Sequence, residues 1–132
     1  MSTEFESIFV RLREILRKHG GRFTVSHDTA DWYGMEAPVG PAALSAWGGK
    51  AKRPMIPVAW VKVGKGYVSY HLMAVYGNPK LLNGFSNELK ARMQGKSCFN
   101  FKAIDEALFK ELERLAAAAL TAFAKAGYIA EQ

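Results

Sequence analysis

The feature that most limits how this chain can fold is the stretch from Pro54 to Gly77, PMIPVAWVKV-GKG-YVSYHLMAVYG, which reads as a two-stranded hairpin. Val58, Trp60, Val61 and Val63 lead into Gly64-Lys65-Gly66, and Tyr67 to Val75 forms the return strand. Glycines at the turn supply the positive φ that tight hairpins use. Apolar residues fall on both faces of each arm, so the hairpin belongs in the middle of a sheet. An isolated hairpin is at best marginally stable in water, so further strands and a covering layer are required.

The flanking sequence supplies both. Residues 3–19 form a first helix, with Phe5, Ile8, Phe9, Leu12, Ile15 and Leu16 as one apolar stripe, stopped by Gly20 and Gly21. Residues 22–36 read as a strand pair with turn chemistry between Asp28 and Asp31. Residues 37–53, rich in Gly, Ala and Pro, form a long loop with a short strand around Leu44–Trp47. Asn78-Pro79 opens a helix over 78–94, since Asn caps and Pro already holds a helical φ. Gly95 ends it before a strand, KSCFNF, and a last helix runs over 105–126. The order predicts an α+β two-layer sandwich: an antiparallel sheet with N-terminal, middle and C-terminal helices packed mainly on one face.

With 132 residues, 49% hydrophobic and 23% charged, the chain suits one ordinary globular domain spanning 1–132. A single cysteine, Cys98, rules out a disulfide framework. No segment approaches the ~20 apolar residues of a membrane span, and the acidic start MSTEFESIF does not read as a signal peptide, so a cytoplasmic protein is expected. The net charge is +6, and ten lysines and arginines between Lys50 and Lys102 face a single acid, Glu88. Spread over loops and helix backs, such bases serve solubility; gathered on one face, they would make a patch for phosphate or carboxylate.

The Trp60-Val61-Lys62-Val63 strand, the Tyr70-His71-Leu72 return strand, the Asn78-Pro79 helix start and the run Gly95 to Phe101 before a final helix together resemble the YdhG-like family of small bacterial domains, which have been likened to frataxin. The likeness covers about residues 3–126. It implies the two-layer α+β fold and an iron-chaperone role. Frataxin-type iron binding relies on an acidic ridge along the first helix and strand. Here Glu4, Glu6 and Glu14 are set against Arg11, Arg13, Arg17 and Lys18, so no iron ligands carry over.

No paired carboxylates, Gly-x-Ser-x-Gly or P-loop occur, and Gly48-Gly49-Lys50 and Gly64-Lys65-Gly66 precede no helix, so they read as turns. His27, His71 and Cys98 lack the close spacing of a structural zinc site. Cys98 would be a nucleophile with His71 as its base if their strands are adjacent, and Lys96 and Arg92 could supply charge that favours the thiolate. The expectation is a non-enzymatic binding module without a cofactor, with an aromatic-lined, basic-rimmed groove between the sheet and the 37–53 loop. Trp47, Trp60, Tyr70, His71 and Cys98 shape it, and Lys62 and Lys96 hold an anionic group. Its partner would be a small anionic or aromatic ligand, with homodimerisation open to such a module. No signature of sequence-specific nucleic-acid reading or membrane association is present. A metal chaperone and a Cys98-dependent enzyme are the alternatives.

Overall fold

The computed structural model describes residues 3–50 and 53–130. In chain order the elements are α1 (Thr3–Arg17), β1 (Thr24–Asp28), β2 (Trp32–Pro38), α2 (Pro41–Ala46), β3 (Met55–Val63), β4 (Val68–Leu72), α3 (Met73–Gly77), α4 (Asn87–Lys90), β5 (Cys98–Phe101) and α5 (Glu106–Lys125). Short 3-10 turns occupy Gly20–Arg22 and Pro79–Leu82. The five strands form one antiparallel meander in the order β1-β2-β3-β4-β5, so the Pro54–Gly77 hairpin does supply central strands.

Register sets the two faces apart. Tyr33, Val61, Tyr70 and Phe99 stand opposite one another across β2 to β5, and all four are buried. Against this inner face lie the stripes of α1 (Ile8, Phe9, Leu12, Leu16) and α5 (Leu112, Leu115, Ala116, Ala119). Ala116 and Ala119 let α5 come close, as small residues do. On α1, Arg11 turns outward to Glu106 at 2.6 Å and Arg17 to Asp28 at 3.1 Å, and just past its end Lys18 pairs with Glu113. The outer face, with Trp32, Trp60, Lys62, Ser69, His71, Cys98 and Asn100, keeps every one of these side chains at least partly exposed. The result is a two-layer α+β sandwich with an antiparallel sheet.

Four local expectations change. The return strand stops at Leu72, and Met73–Gly77 coils into α3. Residues 37–53 hold no strand at Leu44–Trp47; that segment coils into α2 instead, because Pro41 follows an extended Gly40 and the run Ala-Ala-Leu-Ser-Ala favours helix. The helix expected over 78–94 is broken into a 3-10 turn and α4. Gly84, at φ +88°, cannot continue a right-handed helix, and Asn78 makes no capping bond. Ser86 caps α4 instead, its Oγ accepting from Leu89 N at 3.1 Å. The hairpin turn does not use positive φ at Gly64 or Gly66; it closes where Gly64 N–H donates to Tyr67 O at 2.8 Å.

The chain after α5 returns to the end of β2, where Val39 pairs with Ile129. Gly40 N–H donates to Tyr128 O at 2.9 Å, Ala42 N–H to Gly127 O at 2.8 Å and Ala130 N–H to Pro38 O at 2.9 Å. This clamp ties α2 to the end of α5.

Candidate functional site

The seven residues expected to share one groove occupy three places. Trp60, Lys62, His71 and Cys98 gather on the outer face of the sheet, because register sets His71 between Trp60 and Cys98. Tyr70 is 0% exposed and points into the core; its neighbour His71 points the other way, as successive strand residues must. Tyr70 therefore lines no surface. Trp47 ends α2 and lines a groove on the helical side, and the Nζ of Lys96 lies 5.6 Å from the ring of Tyr76, which lines that same groove. Of the bases between 50 and 102, Lys62 and Lys96 thus sit over aromatic rings, whereas Lys52 lies outside the described residues.

The groove measures about 350 Å³. Its walls are Ala43 and Ala46 of α2, Trp47 just after it, Ile56 of β3, Met73 and Tyr76 of α3, Leu81, Phe123 of α5 and Tyr128 beyond its end. Of the seven residues expected to line one groove, only Trp47 lines this one, and helices α3 and α5 close it in place of β4. Tyr76 and Tyr128 are 56% and 41% exposed, a large share for aromatic side chains bordering a hollow. Phe123 stacks on Tyr128 at 5.6 Å between centroids, which fixes that wall. Met73, Phe123 and Tyr128 were not legible as wall residues in the sequence. The only signal was Gly127-Tyr128, a helix-ending glycine followed by a hydrophobic clasp, and it gives no direction to the ring.

On the outer face, Trp60 and His71 stack at 4.3 Å and 11°. His27 and Trp32 stack at 3.7 Å and 7°, and Lys62 Nζ lies 4.3 Å from the Trp32 ring, a cation over an indole face. Cys98 Sγ stands 3.4 Å from His71 Nε2 and 3.3 Å from Asn100 Oδ1, while Asn100 Nδ2 donates to Gln94 Oε1 at 3.4 Å. A thiol has one proton. With it given to Asn100, His71 Nε2–H donates to the sulfur.

Burial pushes the Cys98 thiol up and the His71 imidazolium down to about 4. Near neutral pH the pair is therefore a thiol beside a neutral ring, a hydrogen-bonded contact and not a thiolate–imidazolium couple. His27 stays apart from this pair, separated by Gly34 and Trp60 along the same cross-strand row. Among the described residues, no three His, Cys, Asp or Glu side chains group so as to hold a metal ion. No described helix is long and apolar enough to cross a membrane. No protein-family model, curated protein or solved structure matches this chain.

Proposed function

We propose that this domain is a non-catalytic binding module whose groove between α2, α3 and the end of α5 takes a small aromatic ligand bearing an anionic group. The observation that carries this reading is the groove's combination of size and lining. At about 350 Å³ it falls within the range of small-molecule sites, and its walls are aromatic and aliphatic side chains left partly open to solvent. Trp47, Tyr76 and Tyr128 would stack on or edge against the ligand ring, and Lys96, above Tyr76, would pair with its charge. The neutral Cys98–His71 contact supports the non-catalytic side of the reading. The iron-chaperone role that the YdhG-like resemblance implies finds no supporting ligand group among the described residues.

The test uses indole-3-carboxylate and its neutral amide as probes, followed by Trp fluorescence and thermal denaturation of the full chain. The acid should bind saturably and raise the melting temperature. Ala46→Phe, which fills the groove from an exposed position on α2, should abolish binding with little loss of stability. Lys96→Ala should reduce the acid to the affinity of the amide. Equal binding of acid and amide to the wild-type chain would remove Lys96 from the site, and undiminished binding to Ala46→Phe would remove the groove.

A further inference from the structure

Strand register on the outer face of the sheet brings a thiol and an imidazole together. Leu72 N–H donates to Ser97 O at 3.0 Å, so the next pair along, His71 and Cys98, is of the non-hydrogen-bonded kind, whose side chains stand closest. The backbone of Cys98 is held from both sides. β4 lies on one side; on the other, Gln94 N–H donates to Cys98 O at 2.9 Å and Asn100 N–H to Arg92 O at 2.8 Å. The His71 ring is held by its stack on Trp60 at 4.3 Å. Cys98 Sγ and His71 Nε2 therefore meet at 3.4 Å on firmly placed backbone, both residues half-buried.

Zinc takes thiolate sulfur at about 2.3 Å and imidazole nitrogen at about 2.0–2.1 Å in tetrahedral geometry, which sets those two ligand atoms about 3.5 Å apart, against about 4.3 Å on a linear ion. The observed 3.4 Å is the tetrahedral bite. Thiolate and imidazole suit zinc, whereas a hard cation wants oxygen ligands. Asn100 gives the pair an outer partner. Its carboxamide lies 3.3 Å from the sulfur, and turned end over end it donates Nδ2–H to a thiolate, the kind of contact that steadies a metal ligand.

A tetrahedral site needs four ligands, and this face offers two. Among the described residues no third His, Cys, Asp or Glu joins them, and His27 stands three strand spacings away, roughly 14 Å. A second copy of the chain, related by a two-fold axis, supplies the same pair. The face suits such a copy. The charged residues that the strands turn outward are Glu36 and Lys62, so this face is neutral although the chain carries +6. Lys62 is already drawn over Trp32.

We propose that Cys98 and His71 are one half of a zinc site with two cysteine and two histidine ligands, completed by the same two residues of a second copy docked on the outer face of the sheet. Zinc displaces the proton of each thiol, which passes to water, and takes the lone pair of His71 Nε2, with the ring proton on Nδ1. Two thiolates balance the charge of the ion, so the joined faces stay neutral. The site lies across the sheet from the groove lined by Trp47 and does not depend on it.

The experiment titrates zinc into the full chain under a phosphine reductant, which keeps disulfides out, and follows sedimentation and heat. The mass should double as zinc reaches one ion per two chains, protons should be released, and a chelator should restore the monomer. Cobalt(II) in place of zinc should give the intense visible bands of a tetrahedral ion with sulfur ligands. Cys98→Ser and His71→Gln should each abolish both the dimer and the cobalt spectrum, and either one alone carries the test if the other disturbs folding. One zinc per chain without a change in mass would overturn the second copy. No uptake of zinc, or uptake undiminished in Cys98→Ser, would overturn the site, and a dimer that persists in chelator would overturn the metal bridge.

Discussion

Tyr70 and His71 are adjacent in β4 and meet opposite environments. The Tyr70 hydroxyl is fully buried and has no hydrogen-bond partner among the described residues, so it carries a desolvation cost that the ring's packing offsets. Tyr70→Phe keeps the ring and deletes that hydroxyl. It should leave stability unchanged or raise it by about 1 kcal/mol in urea unfolding, and a loss of more than that would show that the hydroxyl has a partner. His71, half-buried under Trp60, should titrate near pH 4 by NMR. Its folded pKa lies below the unfolded value of 6.5, so the unfolded chain binds the proton first. The stability linked to His71 is therefore complete above about pH 6.5 and drains away as pH falls toward 4. His71→Gln should flatten that part of the pH–stability curve, and an equally steep curve in the variant would assign the acid sensitivity elsewhere.

At the scale of elements, length decided what the sequence could disclose. α1 and α5 each run for several turns, and their apolar stripes repeat often enough to declare a helix and its buried face. Asp105 also reads correctly as the start of α5, where its carboxylate accepts from Leu108 N at 3.1 Å. The pieces α2, α3 and α4 span six, five and four residues, too few for any periodicity to show, and tertiary contacts define them. For α4 the contact is Glu111 of α5, whose carboxylate accepts from Ser86 N at 2.7 Å and Ser86 Oγ at 2.6 Å; those bonds hold its carboxyl below the ordinary range. For α2 it is the clamp on the segment after α5. A Cβ at Gly40 would come within 2.3 Å of Gly127 O, a backbone atom that cannot step aside. Gly40→Ala should therefore cost more than about 2 kcal/mol and speed hydrogen exchange at the Ala42 amide, whereas a wild-type exchange rate there would mean that the clamp tolerates the extra carbon.

Across the whole molecule, the sheet divides chemistry into two territories. The two apolar arms of β3 and β4 and the short Gly64-Lys65-Gly66 connection between them made the antiparallel layer and its central hairpin legible. The same local pattern could not say which aromatics from distant segments would meet. Trp47 and Trp60 carry the same side chain, yet one ends a helix above the groove and the other stands on the open face. Lys62 and Lys96 likewise part company, over Trp32 and Tyr76. The distribution of rings between core, groove and face follows from register and from the clamp, neither of which leaves a local mark in the sequence. The most direct measurement of the binding account is a chemical-shift map of the full chain titrated with indole-3-carboxylate. Signals of Trp47, Tyr76, Met73 and Lys96 should move together and saturate while the Trp60 indole and His71 ring stay fixed; shifts centred on Trp60 and His71, or none anywhere, would contradict it.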